Sequence, residues 1–292
     1  MVVGEEVSAA LADGGAVVAL ETTLVAHGFP AGEGVEVGLA AEHAVRAAGA
    51  VPATVAVLDG ELRVGLTADD LARFDPDARK LGPRDLAAAL VQRALGATTV
   101  GGTLAVARAA GIRFMGTGGL GGVHRGWAQT PDVSADLLEL ARTPVVVVSS
   151  GVKSLLDVPA TAEVLETLSV PVLGYRVDTL PLFYAAAGGP PVSARVESPA
   201  EAAAVAQAHW ALGGHGIIVS RAPDESVDVE PLIRAALLRA EEQGIRGGAV
   251  TPFVLSFLHQ ASGGGTQRVN RDLIVANAGL AGEIAASSVA TV

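Results

Sequence analysis

The sequence contains no cysteine and only two lysines, and both scarcities restrict its chemistry. Without cysteine, disulfides, thiolate metal sites and a cysteine nucleophile are excluded. Lys80 and Lys153 stand against eighteen arginines, so most positions that need only a positive charge carry arginine. Arginine stays charged, whereas a buried lysine can lose its proton and act as an amine nucleophile. Lys153 follows the apolar run VVVV and the residues SSGV, where a Schiff-base lysine could lie. The alternative is that both lysines are ordinary surface cations.

Basic clusters, aromatic residues and long apolar runs are also scarce. The net charge is −11 and aromatic residues make up 3% of the chain, so we expect no nucleic-acid partner. A small anionic ligand is still possible, because a few local donors can overcome the overall field. No apolar run approaches the roughly 18 residues of a membrane helix. Glu5 and Glu6 stand where an export signal would carry positive charge. We therefore expect a cytoplasmic enzyme that does not bind membranes.

Apolar runs of about five residues alternate with longer, alanine-rich amphipathic stretches, which is typical of α/β proteins. The Asp59-Gly60 pair predicts a tight hairpin, so part of the sheet is antiparallel. We predict a single domain over residues 1–292, folded as a three-layer α/β/α sandwich with a mixed central sheet. The predicted strands are Ala16–Leu20, Thr54–Leu58, Leu62–Leu66, Ile112–Met115, Pro144–Val148, Val170–Tyr175 and Gly216–Ser220. The predicted helices are Gly34–Ala48, Thr67–Phe74, Asp85–Leu95, Thr103–Ala110, Ser134–Arg142, Thr161–Leu168, Pro199–Leu212, Glu230–Gln243, Pro252–Gln260 and Asn270–Ser287.

Polar residues follow several of these strands, where α/β sheets bind ligands. Glu21 ends a buried strand, where a carboxyl group can have a raised pKa and act as a general acid; a solvated loop glutamate is the alternative. The loop GTGGLGGVHRG, Gly116–Gly126, lets backbone N–H groups approach an oxyanion, and Thr117, His124 and Arg125 add donors. It lacks the features of a Walker loop or a dinucleotide fingerprint. It instead indicates phosphate binding.

The segment TPDVSAD, residues 130–136, places Asp132 and Asp136 four residues apart around a predicted helix start. Such oxygen ligands suit Mg²⁺ or Mn²⁺ that keeps much of its water shell. The alternative is that both carboxylates stabilise the positive end of the helix dipole. Lys80, in RKLGPRD, precedes a helix and could contact a ligand anion. If the strands run parallel, Glu21, the glycine loop, both aspartates and Lys153 converge on one sheet edge.

A set of ordered segments resembles one known family. The segments ALETTLVAHGFP, GAVPATVAVLDG, GATTVGGTLAVARAAGI, TGGLGGVHRG, DVSADLLELA, GVKSLLD, TPFVL and ANAGLAGEIA cover most of the chain. They resemble the pseudouridine-5′-phosphate glycosidase family, also called indigoidine synthase A-like. The resemblance implies a mixed-sheet α/β/α sandwich assembled as a homotrimer. It also implies reversible cleavage of pseudouridine 5′-phosphate to uracil and ribose 5-phosphate, with one Mn²⁺ ion per subunit.

The resemblance also implies roles for individual residues. Glu21 corresponds to the proton donor, Lys153 to the nucleophile that forms an imine with the sugar C1′, and Asp132 to the metal ligand. The positions implied to contact substrate are Lys80, Val100, Thr117, His124, Ser134, Ala135, Asp136 and Asn277. Pro83 departs from the small or basic residue expected there, and it leaves Lys80 and Asp85 in place.

Two other functions stay open at this point. An aldolase-like Schiff-base enzyme acting on another phosphosugar would use the same lysine and release no free base. A non-catalytic phosphosugar-binding module would bind ribose 5-phosphate without turnover and would tolerate Lys153→Arg. The combination of Glu21, Lys153 and Asp132 argues against the second of these.

Overall fold

A computed structural model describes residues 1–30, 32–129, 131–246 and 250–289 of the chain. Thr130, the first residue of the TPDVSAD segment, therefore lies outside the described residues. Strands β1 to β13 are Val2–Val3, Val17–Glu21, Val51–Leu58, Glu61–Val64, Arg79–Leu81, Gly96–Thr98, Phe114–Gly116, Val123–His124, Val146–Ser149, Leu156–Asp157, Val172–Tyr175, Ala194–Val196 and Ile217–Arg221. Helices α1 to α12 are Glu5–Ala12, Thr23–His27, Glu33–Ala47, Ala68–Leu71, Leu86–Val91, Val100–Ala110, Ala135–Leu140, Val158–Thr167, Pro199–Ala211, Glu230–Glu242, Val250–Ala261 and Gly265–Val289.

The central sheet is mixed, as predicted. Its strand order is β1-β4-β3-β2-β7-β9-β13-β11-β12, with β6 also pairing with β3 and β5 pairing with β6. Strands β2, β7, β9, β13 and β11 run parallel, whereas β3 and β4 are antiparallel. Asp59 and Gly60 join β3 to β4 with positive φ angles of 55° and 85°. Two positive φ angles are typical of a type I′ hairpin turn, so the predicted hairpin is confirmed.

Strands β2 and β9 are buried at every position, as expected for strands with helices on both faces. Helix α12 packs on β2, β7 and β9 and also contacts α3 and α9, whereas α6 packs on β2 and contacts α7. The three-layer α/β/α fold is therefore confirmed. The apolar core extends from Val7 near the start of the chain to Ala285 in α12. None of the helices in the described parts of the chain is long and apolar enough to cross a membrane.

Every predicted strand and helix has a counterpart in the structure, and two helices end three or more residues earlier than predicted. Helix α4 ends at Leu71 rather than at Phe74. Pro76 disfavours the helical conformation for Asp75, the residue before it, so the helix ends before Asp75. Helix α5 ends at Val91 rather than Leu95, because Arg93 has a φ of 52° and the chain enters β6 at Gly96. Sequence patterns missed α1, α2 and, apart from β7, the strands of two or three residues, including β5, which carries Lys80.

Strand β6 extends the sheet beyond the end of β2. Strand β3 pairs with β2 through Val55 and then with β6 through Ala56 and Val57. The hydroxyls of Thr22 and Thr98 both donate to the Val55 carbonyl, each at 2.8 Å, and join the two strands at this point. Strand β5 pairs with β6, and this pairing places Lys80 beyond the carboxyl end of β2, in the direction of Glu21.

Helix α12 approaches β7 closely at Gly116. A Cβ added there would lie 2.8 Å from the Ala278 Cα. Gly116→Ala should therefore push α12 outward and destabilise the fold by about 1–3 kcal/mol. Its matched control is Gly279→Ala, where the added Cβ meets only the Ala44 Cβ at 3.7 Å. Because alanine is favoured over glycine inside a helix, that variant should gain about 0.5–1 kcal/mol. Urea unfolding of both variants measures the two effects, and equal changes would contradict this packing.

Candidate active site

A cavity of about 930 Å³ lies at the carboxyl ends of the central strands. Most of the residues predicted for the site line it: Glu21, Lys80, Val100, His124, Asp132, Ser134, Ala135, Asp136 and Lys153. The predicted convergence on one sheet edge is thereby confirmed. It arises because Leu20, Gly116 and Val148 are register partners on three adjacent parallel strands. The segments that follow them supply Glu21, Gly121 and Lys153 to the lining of this cavity.

Glu21 is the last residue of β2, and it is buried with 6% of its surface exposed. Its Oε1 accepts a 2.5 Å hydrogen bond from the Thr117 hydroxyl at the start of the glycine loop. Burial raises the pKa of the Glu21 carboxyl, and the positive charge of Lys153 and the Thr117 hydrogen bond partly oppose that rise. A buried carboxyl group with a raised pKa can hold a proton and release it to a substrate atom.

Lys153 lies in the turn that follows β9, and Lys80 faces the same cavity from β5. The Lys153 backbone N–H donates to the Leu120 carbonyl at 3.2 Å, which ties this turn to the glycine loop. Burial lowers the pKa of the Lys80 ammonium, and the positive charge of Lys153 lowers it further. The negative charges of Glu21 and Asp136 oppose this effect. The two amines and the Glu21 carboxyl therefore act on one another electrostatically within one cavity.

Asp136 holds two backbone segments of the cavity wall. Its Oδ1 accepts from the Gly101 N–H at 2.8 Å, at the start of α6, and its Oδ2 accepts from the Gly121 N–H at 3.0 Å. Ser134 caps α7 by accepting from the Asp136 N–H at 3.2 Å. With both oxygens engaged, Asp136 fixes the glycine loop against α6.

Asp132 and His124 line the cavity and contact each other. The His124 N–H donates to the Asp132 carbonyl at 3.0 Å, and the side-chain atoms Nδ1 and Oδ2 are 3.8 Å apart. Burial lowers the pKa of the His124 imidazole, opposed by Asp132. Among the described residues there is no cluster of three or more His, Cys, Asp or Glu that could hold a metal. Asp132 has 38% of its side chain exposed. It therefore suits a cation that has one carboxylate ligand and whose other ligands are water.

Thr117 and Asn277 are predicted substrate contacts that lie behind the wall of the large cavity. Thr117 is 1% exposed and its hydroxyl binds Glu21. Asn277 is fully buried on α12, and its Nδ2 donates to the Thr117 carbonyl at 2.9 Å and the Gly118 carbonyl at 3.3 Å. The same amide group also bonds to the Ser150 hydroxyl. In this structure both residues position the glycine loop, and their direct contact with substrate stays a prediction.

Arg125, expected to add donors to the glycine loop, points away from the cavity. Its guanidinium instead binds Glu230 and two backbone carbonyls of the turn that carries Lys153. Strand β8 ends at His124 and Arg125 begins the turn that follows it, so His124 lines the cavity while the Arg125 guanidinium is held outside it by these contacts.

Sequence patterns missed several residues around the site. Arg108 and Arg142 line the 930 Å³ cavity, and Arg108 forms an ion pair with the buried Glu139 at 3.0 Å. Phe183 has a φ of 65° and lines a smaller recess, about 60 Å³, together with Glu21 and Lys153. These residues lie on distant segments without a motif, and only the fold brings them to the site.

Similarity to known proteins agrees with this geometry. The family model "Indigoidine synthase A like protein" matches residues 6–287. The chain is 49% identical to a protein of Streptomyces griseus named pseudouridine-5′-phosphate glycosidase, over 97% of this chain and 90% of that protein. A protein of the same name from Herpetosiphon aurantiacus is 46% identical, over 98% and 97%.

Two solved structures share the fold. One is the prealnumycin C-glycosynthase AlnA in complex with ribulose 5-phosphate, with a TM-score of 0.90 and 41% identity over 99% of this chain and 97% of that one. The other is an indigoidine synthase A-like protein from Thermotoga maritima, with a TM-score of 0.85 and 35% identity over 92% of each chain. The match over nearly the whole length shows that this chain belongs to the indigoidine synthase A-like family, together with proteins named pseudouridine-5′-phosphate glycosidase.

Proposed function

We propose that this protein reversibly cleaves the C–C glycosidic bond of pseudouridine 5′-phosphate, giving uracil and ribose 5-phosphate. The observation that carries the proposal is the presence of a buried carboxyl group with a raised pKa, Glu21, and an amine, Lys153, in one cavity. The names of the relatives and the pentose phosphate in the C-glycosynthase structure support the same substrate class.

The chemistry requires both an acid and an amine nucleophile. A C–C nucleoside bond has no leaving nitrogen that a proton could activate, so the sugar ring must open first. Glu21 donates a proton to the ring oxygen as the bond from that oxygen to C1′ breaks. The uncharged amine of Lys153 forms a bond to C1′.

The second half of the reaction releases the base. The nitrogen lone pair of Lys153 forms the iminium bond to C1′ as the C1′–C5 bond breaks, and C5 of uracil takes a proton. Water then adds to C1′, which frees ribose 5-phosphate and regenerates the Lys153 amine. One water molecule is consumed overall.

The remaining cavity residues bind and orient the substrate. Lys80, His124 and the N–H groups of the glycine loop offer cationic and neutral donors for the 5′-phosphate. Val100, Ser134 and Ala135 line the same wall, at the starts of α6 and α7. Asp132 would hold Mn²⁺, which when bound supplies Lewis-acid polarisation and orientation of the uracil carbonyl side.

Assembly and location are part of the same proposal. A homotrimer agrees with the resemblance to the family, and a cytoplasmic location agrees with a substrate whose phosphate charge opposes passage through a membrane. Size-exclusion chromatography with light scattering measures the assembly directly.

Borohydride reduction tests the nucleophile. With ribose 5-phosphate present, borohydride should leave a pentitol phosphate adduct on Lys153, found by peptide mass mapping. Lys153→Arg should form no adduct and release uracil at least about a thousandfold more slowly, because arginine cannot shed its proton. Lys80→Arg is the control, since it retains the charge at the second lysine and should keep the Lys153 adduct. An active Lys153→Arg variant, or an adduct without uracil release by the wild type, would overturn the proposal.

Glu21 should make both stability and activity depend on pH. Because its folded-state pKa is raised above the ordinary 4.5, stability falls as pH rises through the folded value. Glu21→Gln removes this ionisation, so its Tm relative to the wild type should rise as the pH increases above the ordinary value of 4.5 and through the raised pKa. The same variant should lose the proton donor and most uracil release. A Tm difference that stays constant with pH would contradict the raised pKa.

The metal can be tested at Asp132. Asp132→Asn removes the negative charge but keeps the size, so it should weaken Mn²⁺ binding by about tenfold or more. Electron paramagnetic resonance of free Mn²⁺ gives the affinity without reference to activity. Asp136→Asn is the matched comparison, because both Asp136 oxygens already bind backbone N–H groups. Equal loss of Mn²⁺ affinity in the two variants would contradict a site on Asp132.

A further inference from the structure

Lys153 lies in a turn whose outer side borders an unfilled cavity, where the Ser154 hydroxyl donates to the Leu182 carbonyl. The Lys153 carbonyl accepts from the Leu156 N–H at 2.9 Å, which closes the turn. The inner side is held by the hydrogen bond from the Lys153 N–H to Leu120 and by the burial of Leu155 and Leu156. The outer side faces a second cavity of about 290 Å³, with Ser154 and Leu156 in its wall. Leu156 also lines the main cavity, so it lies in the wall between the two. Packing therefore leaves room for the turn to move outward.

Arg125 closes this outer side. Its Nη2 donates to the Ser154 carbonyl at 2.8 Å and its Nε donates to the Leu156 carbonyl at 3.3 Å. These carbonyls belong to the residue that follows Lys153 and to the last residue of the turn. Strand β8 pairs with β10, with His124 opposite Leu156, and this register brings Arg125 to the turn.

Glu230, the first residue of α10, holds the guanidinium in place. Two parallel hydrogen bonds, Nη1 to Oε1 at 2.9 Å and Nη2 to Oε2 at 3.0 Å, join Arg125 to its carboxylate. The Arg125 hydrogen bond is the largest cause of the lowered pKa of Glu230. Both side chains are about one-third to two-fifths exposed, 34% and 42%. An exposed ion pair adds little stability, but a two-point pair fixes orientation.

We propose that Arg125 is a positioning residue for the nucleophile. Anchored by Glu230, it holds the turn at Ser154 and Leu156, so that the Lys153 amine stays directed into the cavity beside Glu21. The catalytic consequence rests on the proposed function. The structural consequence, a turn that opens toward the 290 Å³ cavity when the guanidinium is lost, does not.

The kinetic prediction separates positioning from binding. A displacement of about 1 Å in a reacting group can cost about a hundredfold in rate, so Arg125→Met should lower kcat by about 10–100-fold. KM should change much less, because Arg125 does not line the main cavity. Arg125→Lys should recover part of the rate, since a lysine can reach one carbonyl but cannot form the two-point pair. Glu230→Ala should show a smaller loss in the same direction.

Arg234 provides the matched control. It contacts the same carboxylate, with Nε 3.3 Å from the Glu230 Oε1, and is one turn along α10. Arg234→Met therefore removes the same charge and an ion pair with the same partner while leaving the Lys153 turn untouched. Its kcat should equal that of the wild type.

Trace acetylation of side-chain amines tests the turn without substrate, because the chain has only two lysines to label. In Arg125→Met, acetylation of Lys153 relative to Lys80 should rise at least about threefold as the turn opens, while the rate of borohydride trapping with ribose 5-phosphate falls. In Arg234→Met neither rate should change. A proportional rise at both lysines would indicate general loosening of the fold and would overturn the proposal.

The proposed function and the positioning role of Arg125 can each be wrong while the other is right. If the wild type releases no uracil but Lys153 labelling rises only in Arg125→Met, the proposed function is wrong and the positioning of the turn stands. If the wild type releases uracil but Arg125→Met matches Arg234→Met in kcat and labelling, the positioning role is wrong and the function stands.

Discussion

The site depends on the register of three adjacent parallel strands. Because Leu20, Gly116 and Val148 are partners across β2, β7 and β9, these strands end at the same height. The next residues are Glu21, the glycine loop and, after a short turn, Lys153. A shift of one residue in this register would reverse the face of each side chain. It would also separate Glu21 from the Thr117 hydroxyl that donates to it.

Electrostatic interactions in the cavity support the proposed role of Glu21 as proton donor. Burial raises the pKa of Glu21 and favours its neutral form, while the nearby charge of Lys153 has the opposite effect. The ionisation of Glu21 therefore depends on its distance from Lys153. The proposed proton transfer and amine attack require the two groups to remain close together. Asp136 and Asn277 hold the backbone around this pair and use most of their polar atoms to do so. Buried polar groups of this kind specify one arrangement of the loops, because any other would leave them without partners.

The sequence was sufficient to predict those parts of the fold and site that are determined by local signals. Asp59-Gly60 requires positive φ angles and gave the hairpin, and apolar runs followed by Glu21 and by SSGVK indicated strand ends with functional residues. It was insufficient where the outcome depends on contacts between distant segments. Lys80 belongs to a three-residue strand that exists only because β6 extends the sheet beyond β2. Arg125 follows a candidate phosphate ligand, yet its guanidinium binds Glu230, 105 positions further along the chain.

The most direct test of the account is the covalent bond between Lys153 and C1′. The Lys80→Arg variant, labelled with ¹⁵N at lysine Nζ, contains a single lysine and can be mixed with ribose 5-phosphate carrying ¹³C at C1. Nuclear magnetic resonance should then show an imine carbon coupled to the lysine nitrogen, and the signal should disappear when Lys153 is also replaced by arginine. A protein that releases uracil without this coupled carbon, or that keeps the carbon signal after loss of Lys153, would contradict the account.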